Sequence, residues 1–371
     1  MNYKPISDKY IFMKKVIILV LFLSLNSSAF AQINDIWTSF PNKDTTLIGF
    51  KDKNGTIKIE PKFTGFTIAR EFENIIAVSE EENGKWKSYY LTKQGKVVGR
   101  DSLFVFDNGP DCENEGFIRF ADRKTDKMGM FDSQGNIKIP AQYSALTKVR
   151  NGMIVALKDA EKQKDGEYFF WIGGKNFLID INNKILVEDF KYDDNINFYS
   201  LEKTKEPSKD ETRDSFKAVD GQYYSFINYD KEFKHWLKNT LLSNVSKANL
   251  EKHSFDKITY WKEPDGWISE SKTKFIEENY TLLKLKLQQL NAKKTDYFIS
   301  SDGLNQFIYE SEEYSIYFNN SNETKDWQYP IMDIVINPKN KLDSGQDHFE
   351  FLRTENGYKL ISVSFAKNDL K

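Results

Sequence analysis

From residue 45 to residue 200 the apolar positions come in short alternating runs, and the turns between them recur at a fixed interval. Three blocks align. The first is Gly49-Phe50-Lys51-Asp52-Lys53-Asn54-Gly55-Thr56-Ile57-Lys58-Ile59-Glu60-Pro61. The second is Tyr89-Tyr90-Leu91-Thr92-Lys93-Gln94-Gly95-Lys96-Val97-Val98, and the third is Gly129-Met130-Phe131-Asp132-Ser133-Gln134-Gly135-Asn136-Ile137-Lys138-Ile139-Pro140. Gly55, Gly95 and Gly135 stand 40 residues apart each time. A degenerate fourth copy, Phe177-Leu178-Ile179-Asp180-Ile181-Asn182-Asn183-Lys184-Ile185-Leu186, carries Asn183 in the glycine's place, 48 residues after Gly135.

Each block predicts a β-hairpin. An apolar strand ends in Asp or Thr, a short polar turn follows, and an alternating strand leaves it. Glycine supplies the positive φ of such a turn, and Asn tolerates it best among the other residues. Further strands are expected at Ile75–Val78, Phe117–Phe120, Met153–Leu157 and Phe198–Leu201. The N-terminal part is therefore an all-β repeat array of antiparallel hairpins.

The pattern then changes. Glu202 to Asp214 contains no aliphatic or aromatic residue, and it is read as a charged linker over 202–215 between two domains. Beyond Tyr229, the spacing of Phe233, Leu237, Leu241, Val245 and Ala248 predicts a helix over 230–251. Ile276, Tyr280, Leu283, Leu287 and Leu290 predict a second over 272–291, with Ser271 as its cap. Strands are expected at 297–300, 307–310, 314–318, 331–336, 348–353 and 358–365, with Asn356-Gly357 as a hairpin turn. This makes 216–371 an α+β domain with helices packed on an antiparallel sheet.

The first residues change the location rather than the fold. Lys14-Lys15 precede the apolar run Val16–Leu25, and Ala29-Phe30-Ala31 suits signal peptidase, so residues 1–31 read as a signal peptide and the mature chain as starting at Gln32. The alternative is an uncleaved anchor, but the run is shorter than the roughly 20 residues that span a bilayer. An exported chain, periplasmic or extracellular, is expected. Losing residues 1–31 removes four Lys and one Asp and takes the net charge from −2 to −5. A mildly acidic chain without a basic stripe is a poor nucleic-acid binder. No later stretch is apolar enough to cross a membrane. Phe, Trp and Tyr make up 15% of the chain, a bias that favours strands. Cys112 is the sole cysteine, so no internal disulfide forms, and its carboxylate neighbours Asp111 and Glu113 argue against a reactive thiolate.

The repeat blocks resemble WG (KWG) repeats, whose units run roughly Gly-aromatic-x-Asp-x-x-Gly-x-x-Val-Ile-Pro-x-x-Tyr. Gly129-Met130-Phe131-Asp132, Gly135, Ile139-Pro140 and Tyr143 follow that pattern, as do Gly49-Phe50-Lys51-Asp52, Gly55, Pro61 and Phe63. Lys85-Trp86 resembles the name-giving dipeptide, with Lys87 where its glycine would stand. The resemblance spans about residues 45–200 and implies a β scaffold with no shared catalytic residues. The C-terminal half resembles NTF2-like α+β domains through its opening helix and its ending, Phe349-Glu350-Phe351 followed by Asn356-Gly357-Tyr358-Lys359-Leu360-Ile361. That resemblance implies a concave pocket between helices and sheet.

Candidate chemistry is sparse. His235, His253 and His348 show no ligand spacing, and no nucleophile elbow, Walker or dinucleotide motif is present. Trp171-Ile172-Gly173-Gly174-Lys175 reads as a hairpin turn, and Asp189 with Asp193-Asp194 lacks the spacing of a calcium loop. No catalytic residue, metal ligand or cofactor is assigned. Tyr260, Trp261 and Trp267 flank Glu263-Pro264-Asp265-Gly266 and are candidate ligand-contact aromatics, able to stack a sugar or grip a peptide; the alternative is that they cap the core. Two function classes stay open: a non-catalytic binding or scaffolding protein of the bacterial cell envelope with a protein or glycan partner, or small-molecule binding or hydrolysis in the C-terminal pocket.

Overall fold

The computed structural model describes residues 35–106, 108–166, 168–338, 345–366 and 370. The expected signal peptide over 1–31, its expected cleavage site after Ala31 and the expected start at Gln32 lie outside the described residues. The chain is mostly β, with 48% strand and 13% helix, so strands set the architecture and the few helices cover one part of it.

Each repeat is a three-stranded antiparallel unit. The first comprises β1 (Trp37–Pro41), β2 (Leu47–Lys51) and β3 (Ile57–Thr64), and the second β4 (Ile75–Glu82), β5 (Lys85–Thr92) and β6 (Val97–Val98). The third comprises β7 (Phe117–Asp122), β8 (Lys127–Asp132) and β9 (Ile137–Tyr143). In the fourth, β10 (Met153–Lys158) is followed by an isolated hairpin of β11 (Glu161–Asp165) and β12 (Tyr168–Ile172), then β13 (Lys175–Asp180) and β14 (Ile185–Val187). That inserted hairpin accounts for the longer step from Gly135 to Asn183. It also corrects the reading of Gly173-Gly174: both glycines have positive φ, but they join β12 to β13, which pair with different strands, β11 and β10.

Alternation along the strands explains why units stack. On β4, Ile76 and Val78 enter the core of the first unit, while Ile75 and Ala77 point into the next core, shared with the third unit. On β5 Tyr89 and Leu91 face the first core and Tyr90 the second. On β10, Ile154 and Ala156 face back to the third unit, and Met153 and Val155 face forward. A strand buried on both faces reads as a continuous apolar run. Each core then forms between neighbours, as in quasi-one-dimensional repeat proteins.

The segment 202–215 is not a free linker. Its first residues belong to β15 (Ile196–Thr204) and its last to β16 (Arg213–Lys217), and both strands pair with β17 (Tyr223–Asn228). Phe198, Tyr224 and Phe226 share a core with Met153, Val155 and Leu178. Ala218 to Gln222 closes a turn at Gly221 (φ 85°), with Gly221 N donating to the Ala218 carbonyl at 3.0 Å and Ala218 N to Gln222 O at 2.8 Å. This is a fifth unit, 38 residues beyond Asn183. It departs from the others in placing the strand after the turn, β17, at the centre of its sheet. Backbone pairing orders the charged stretch although its side chains have little to bury. Trypsin should nick first within 205–212, an exposed loop rich in Lys. The two fragments should nevertheless co-elute on a native sizing column, because β15 lies on one side of the nick and its partner β17 on the other; separation into two species would restore the tether reading.

The C-terminal part begins directly after β17. Asn228 caps α1 (Tyr229–Trp236), its side chain accepting from Asp230 N and Lys231 N at 3.1 and 3.3 Å. The helix expected over 230–251 is divided. A π-helical turn, Leu237–Leu241, follows α1, and the chain breaks at Ser243-Asn244 before α2 (Lys247–Lys252), which Ser246 caps. Phe233, Leu237, Leu241 and Val245 point inward as expected, but the break shifts the face of α2, which buries Leu250 and leaves Ala248 exposed. Then come β18 (Ser254–Lys262), β19 (Gly266–Ser271), α3 (Lys272–Gln289), β20 (Tyr297–Asp302), β21 (Ile331–Ile336), β22 (Asp347–Thr354) and β23 (Gly357–Ser364). Ser271 sits at the N-terminus of α3 but makes no side-chain cap. The six strands form one sheet in the order β19-β18-β23-β22-β21-β20, antiparallel except that β18 runs parallel to β23. The sheet is therefore mixed, because its first and last long strands meet in the middle. Phe275, Ile276, Leu283 and Leu287 of α3 pack with Phe233 of α1 on Ile334, Phe349 and Phe351.

The opposite sheet face is covered by the connection from β20 to β21. The strands expected at 307–310 and 314–318 are absent: the first is a turn and the second lies in a 3-10 helix, Glu312–Tyr317. Tyr309, Tyr314 and Tyr317 instead pack on Ile331, Leu352 and Ile361. The same connection reaches the β array, where Asn320 O accepts from Arg70 N at 2.8 Å and Glu71 N at 2.9 Å.

Candidate functional site

The turns share one geometry. Gly55, Gly95, Gly135 and Asn183 have φ of 82°, 84°, 69° and 64°. In each, the glycine-position N–H donates to the carbonyl three residues back, at 2.8–2.9 Å. Asp52, Asp132 and Asp180 present Oδ1 to two backbone N–H groups of their turn at 2.8–3.0 Å. Thr92 does half of this, its Oγ1 accepting from Lys96 N at 3.1 Å. The aspartates are thereby occupied in holding turns. Two residues beyond three of the turns stand exposed apolar side chains, Ile57, Val97 and Ile137.

Ile137 borders a groove of about 770 Å³ between the second and third units. Val98, Phe120, Phe131, Pro140 and Ala141 contribute its apolar lining. Arg100, Arg123 and Lys124 stand on its rim with Asp101 and Asp122. Asp122 is engaged by Lys124 N and Thr125 Oγ1 at 2.9 and 3.1 Å, and these bonds hold its carboxyl below the usual range. Neighbouring turns are tied across the groove, Lys96 Nζ donating to Gln134 O, Gly135 O and Asn136 Oδ1 at 3.1–3.2 Å. β9 is the outer strand of its sheet, with one edge unpaired among the described residues.

A second polar cluster lies where the β array meets the 303–330 connection. Asp111 receives Arg119 three times: from Nε and the backbone N at 2.9 Å and from Nη2 at 2.6 Å. Burial alone would push the Asp111 carboxyl up, but the charge and hydrogen bonds of Arg119, with Lys148 3.9 Å away, hold it below the usual carboxylate range. Lys148 pairs with Glu323 at 2.5 Å. Cys112 is buried beside them, and burial first, then Glu323 and Asp111, raises its thiol to about 12 against the pull of Lys148. Carboxylate neighbours were the expected cause; loss of solvent is the larger one.

Of the three aromatics singled out in the sequence, only two stay together. Tyr260 is buried against Phe275, with ring centroids 5.0 Å apart. Trp261 and Trp267, 42% and 47% exposed, form an edge-to-face pair on the β18–β19 hairpin, and Trp261 Nε1 donates to Glu263 at 3.0 Å. Period-2 alternation sends Tyr260 and Trp261 to opposite faces. The histidines lie apart. His235 stands 3.6 Å from Glu211, His253 packs on Trp236, and His348 Nδ1 meets Asp333 Oδ2 at 2.7 Å. That bond raises the imidazole pKa. Asp193 accepts from Asn195 N, Asp194 from Tyr192 Oη, and Asp189 from Lys191. Among the described residues, no three His, Cys, Asp or Glu side chains are placed to hold a metal.

The space beneath the helices is filled by Leu283, Leu287, Phe349 and Phe351. A groove of about 690 Å³ opens at its end, between Leu237, Leu242, Leu290 and Phe298, with Lys234 and Lys238 as its charged residues. His348 and Asp333 are on the other face of the sheet, away from α1 and α3.

Sequence reasoning missed the fifth unit and the grouping of Arg119, Lys148 and Glu323. The fifth unit did leave a signal: Phe216-Lys217-Ala218-Val219-Asp220-Gly221 repeats the spacing of Phe50-Lys51-Asp52-Lys53-Asn54-Gly55. Ala218 replaces the turn aspartate and hides it. The ion cluster had no local signal, since its members are more than 170 residues apart from Lys148 to Glu323. None of the curated proteins compared matches the chain. No helix among the described residues is long and apolar enough to cross a membrane. The family model of the WG containing repeat matches residues 48–86 and 128–160, the stretches that run through the first and third turns, and the chain thus carries WG repeats within its β array.

Proposed function

We propose that this chain is an exported, non-catalytic binding or scaffolding protein of the bacterial cell envelope that holds an extended segment of a protein partner between its repeats. The WG repeats support a repeat-based binding or scaffold role. The groove between the second and third units carries the reading: an apolar floor, a rim with three cations and two carboxylates, and an outer strand with an unpaired edge. Such an edge supplies main-chain hydrogen bonds to an added strand, while pockets beside it select side chains. The rim favours acidic residues flanking the apolar ones. A glycan fits this floor less well, since its lining is aliphatic and its aromatic rings, Phe120 and Phe131, are buried. The leader-like residues 1–31 support export.

The C-terminal unit we read as NTF2-like, supported by helices packed over one face of a single six-stranded sheet. Its filled interior favours a structural role over the alternative of small-molecule or hydrolytic chemistry beneath the helices.

The test is affinity capture from envelope extract with the mature chain and with Ile137→Asp. Ile137 is 61% exposed, so the substitution should leave the melting temperature within a degree or two, as exposed changes cost about 0.5 kcal/mol or less. Partners captured by the wild type should be lost from Ile137→Asp. An unchanged set of partners would exclude the groove as their site.

A further inference from the structure

A cleft of about 510 Å³ lies between the third and fourth units and the 303–330 connection, within the range of roughly 300–1,000 Å³ typical of small-molecule sites. Its lining is chiefly apolar, from Leu146, Val155, Leu157 and the exposed Phe106, with Trp327 at one end. Three cations line it: Arg119, Lys148 and Arg150. Two of them are satisfied within the protein, Arg119 by Asp111 and Leu146 O, and Lys148 by Glu323. Arg150 is not. Among the described residues it forms no ion pair within 4.0 Å, its Nη1 reaches Tyr192 Oη at 3.2 Å, its Nε is removed from solvent without an acceptor, and its charge acts on the Asp326 carboxyl from beyond salt-bridge distance, against the burial that raises that group. Its guanidinium lies over Trp327, 5.2 Å from the ring centroid, which fixes its plane.

We propose that this cleft binds a small apolar monocarboxylic acid, with Arg150 taking the carboxylate and the Leu146–Val155–Leu157 wall the hydrocarbon. A guanidinium with open donors beside an aromatic ring is arranged for planar, two-point recognition of a carboxylate. Nε is closed off from the cleft, whereas Nη2 has no acceptor among the described residues, so a carboxylate can engage it beside Nη1. Two other carboxylates, Asp194 and Asp326, stand at the mouth. Asp194 is engaged by Tyr192 Oη at 2.5 Å. Their charge opposes a dianion more than a monoanion, which selects a carboxylic acid over a phosphate monoester. This site is separate from the inter-repeat groove and does not rest on its role.

The test uses the mature chain with octanoate, octan-1-ol and inorganic phosphate as probes, followed by thermal melting and by titration calorimetry. Octanoate should raise the melting temperature and bind more tightly than octan-1-ol, and phosphate should do neither. Arg150→Met should weaken octanoate by about tenfold or more, the usual worth of a charge-assisted hydrogen-bonding group, and leave octan-1-ol unchanged. Should that variant fail to fold, Arg150→Lys keeps the charge but not the planar fork, and should still lose several-fold. Leu157→Trp, which fills the cleft and leaves the guanidinium in place, should abolish octanoate binding. Equal binding of octanoate and octan-1-ol, stronger binding of phosphate, or wild-type affinity in either Arg150 variant or in Leu157→Trp would overturn the proposal.

Discussion

Gly129→Ala should lower the stability of the β array by about 2–3 kcal/mol, the upper range for forcing a methyl into a packed site. A Cβ at this position would lie 2.6 Å from the Ile139 carbonyl oxygen and 2.6–2.7 Å from the Phe120 ring. The oxygen is backbone of the paired strand and cannot swing aside. The β8–β9 register shifts between Met128 and Met130, a bulge that brings the partner backbone over Gly129. The first unit repeats the arrangement: the register shifts between Ile48 and Phe50, and a Cβ on Gly49 would lie 2.5 Å from Ile59 O. Glycine is thus required by close approach of two backbones and not by φ. Gly55 provides the contrast. Its φ is +82° and nothing lies within 4 Å of an added Cβ, so Gly55→Ala should cost only the left-handed strain, about 1 kcal/mol. Gly135 combines both penalties more mildly, with φ +69° and Thr92 and Val98 at 3.0–3.2 Å. Gly135→Val should therefore destabilise more than Asn136→Thr, which gives up only exposed hydrogen bonds to Lys96 and Asp132. Urea unfolding of the three glycine variants decides the matter; a Gly129→Ala loss no larger than that of Gly55→Ala would remove the steric account.

Arg119→Met should cost about 3 kcal/mol at neutral pH, because it strands the buried Asp111 carboxylate. Asp111 has 2% of its side-chain surface exposed and receives three of its hydrogen bonds from Arg119. One of them, from the backbone N, survives the substitution, and Lys148 at 3.9 Å offers partial compensation, which places the estimate at the lower end for a broken buried pair. The pH dependence has a definite sign. The folded-state pKa of Asp111 is depressed, so the pair's contribution is fully present above the ordinary carboxylate pKa of about 3.9 and is lost as pH falls through the lower folded value. Wild type and Arg119→Met should therefore differ most near neutrality, and their stabilities should converge in acid. Asp111→Leu combined with Arg119→Met should recover part of the loss by removing the stranded charge. A gap that stays constant from neutral pH to pH ~2, well below the ordinary carboxylate pKa, would show that Arg119 acts through packing and not through its charge.

The repeat register was legible because a tight turn is a local object. Gly55, Gly95, Gly135 and Asn183 each need positive φ, and the preceding Asp or Thr needs to reach N–H groups within four residues. Where that local signature changed, as at Ala218, the unit escaped notice although Gly221 kept its φ. The charged stretch 202–215 looked unable to pack, and its side chains largely are exposed. Its backbone is nevertheless ordered by pairing with β17, and strand pairing depends on a partner that composition does not reveal. The apolar spacing of Phe233, Leu237 and Leu241 marked the inward face of the first helix correctly but could not show its break at Ser243-Asn244. Tyr314 to Phe318 had the residue types of a strand and became a 3-10 helix, because its rings cover Leu352 and Ile361 from outside the sheet.

By itself the sequence determined the hairpins, their interval of 40 residues and the turn chemistry that sets it, since all of these are written within a few residues of each other. Only the tertiary structure decided that Ile75 and Ile76 serve different cores, that β18 lies parallel to β23, and that Tyr260 parts from Trp261. It alone brought Arg119, Lys148 and Arg150 beside Glu323 and Trp327. The physical reason is range. A turn is stabilised by hydrogen bonds across four residues, whereas an ion pair or a cleft wall forms wherever the folded chain returns, and the free energy that brings it back is the apolar burial of the whole array, to which those charged residues contribute little.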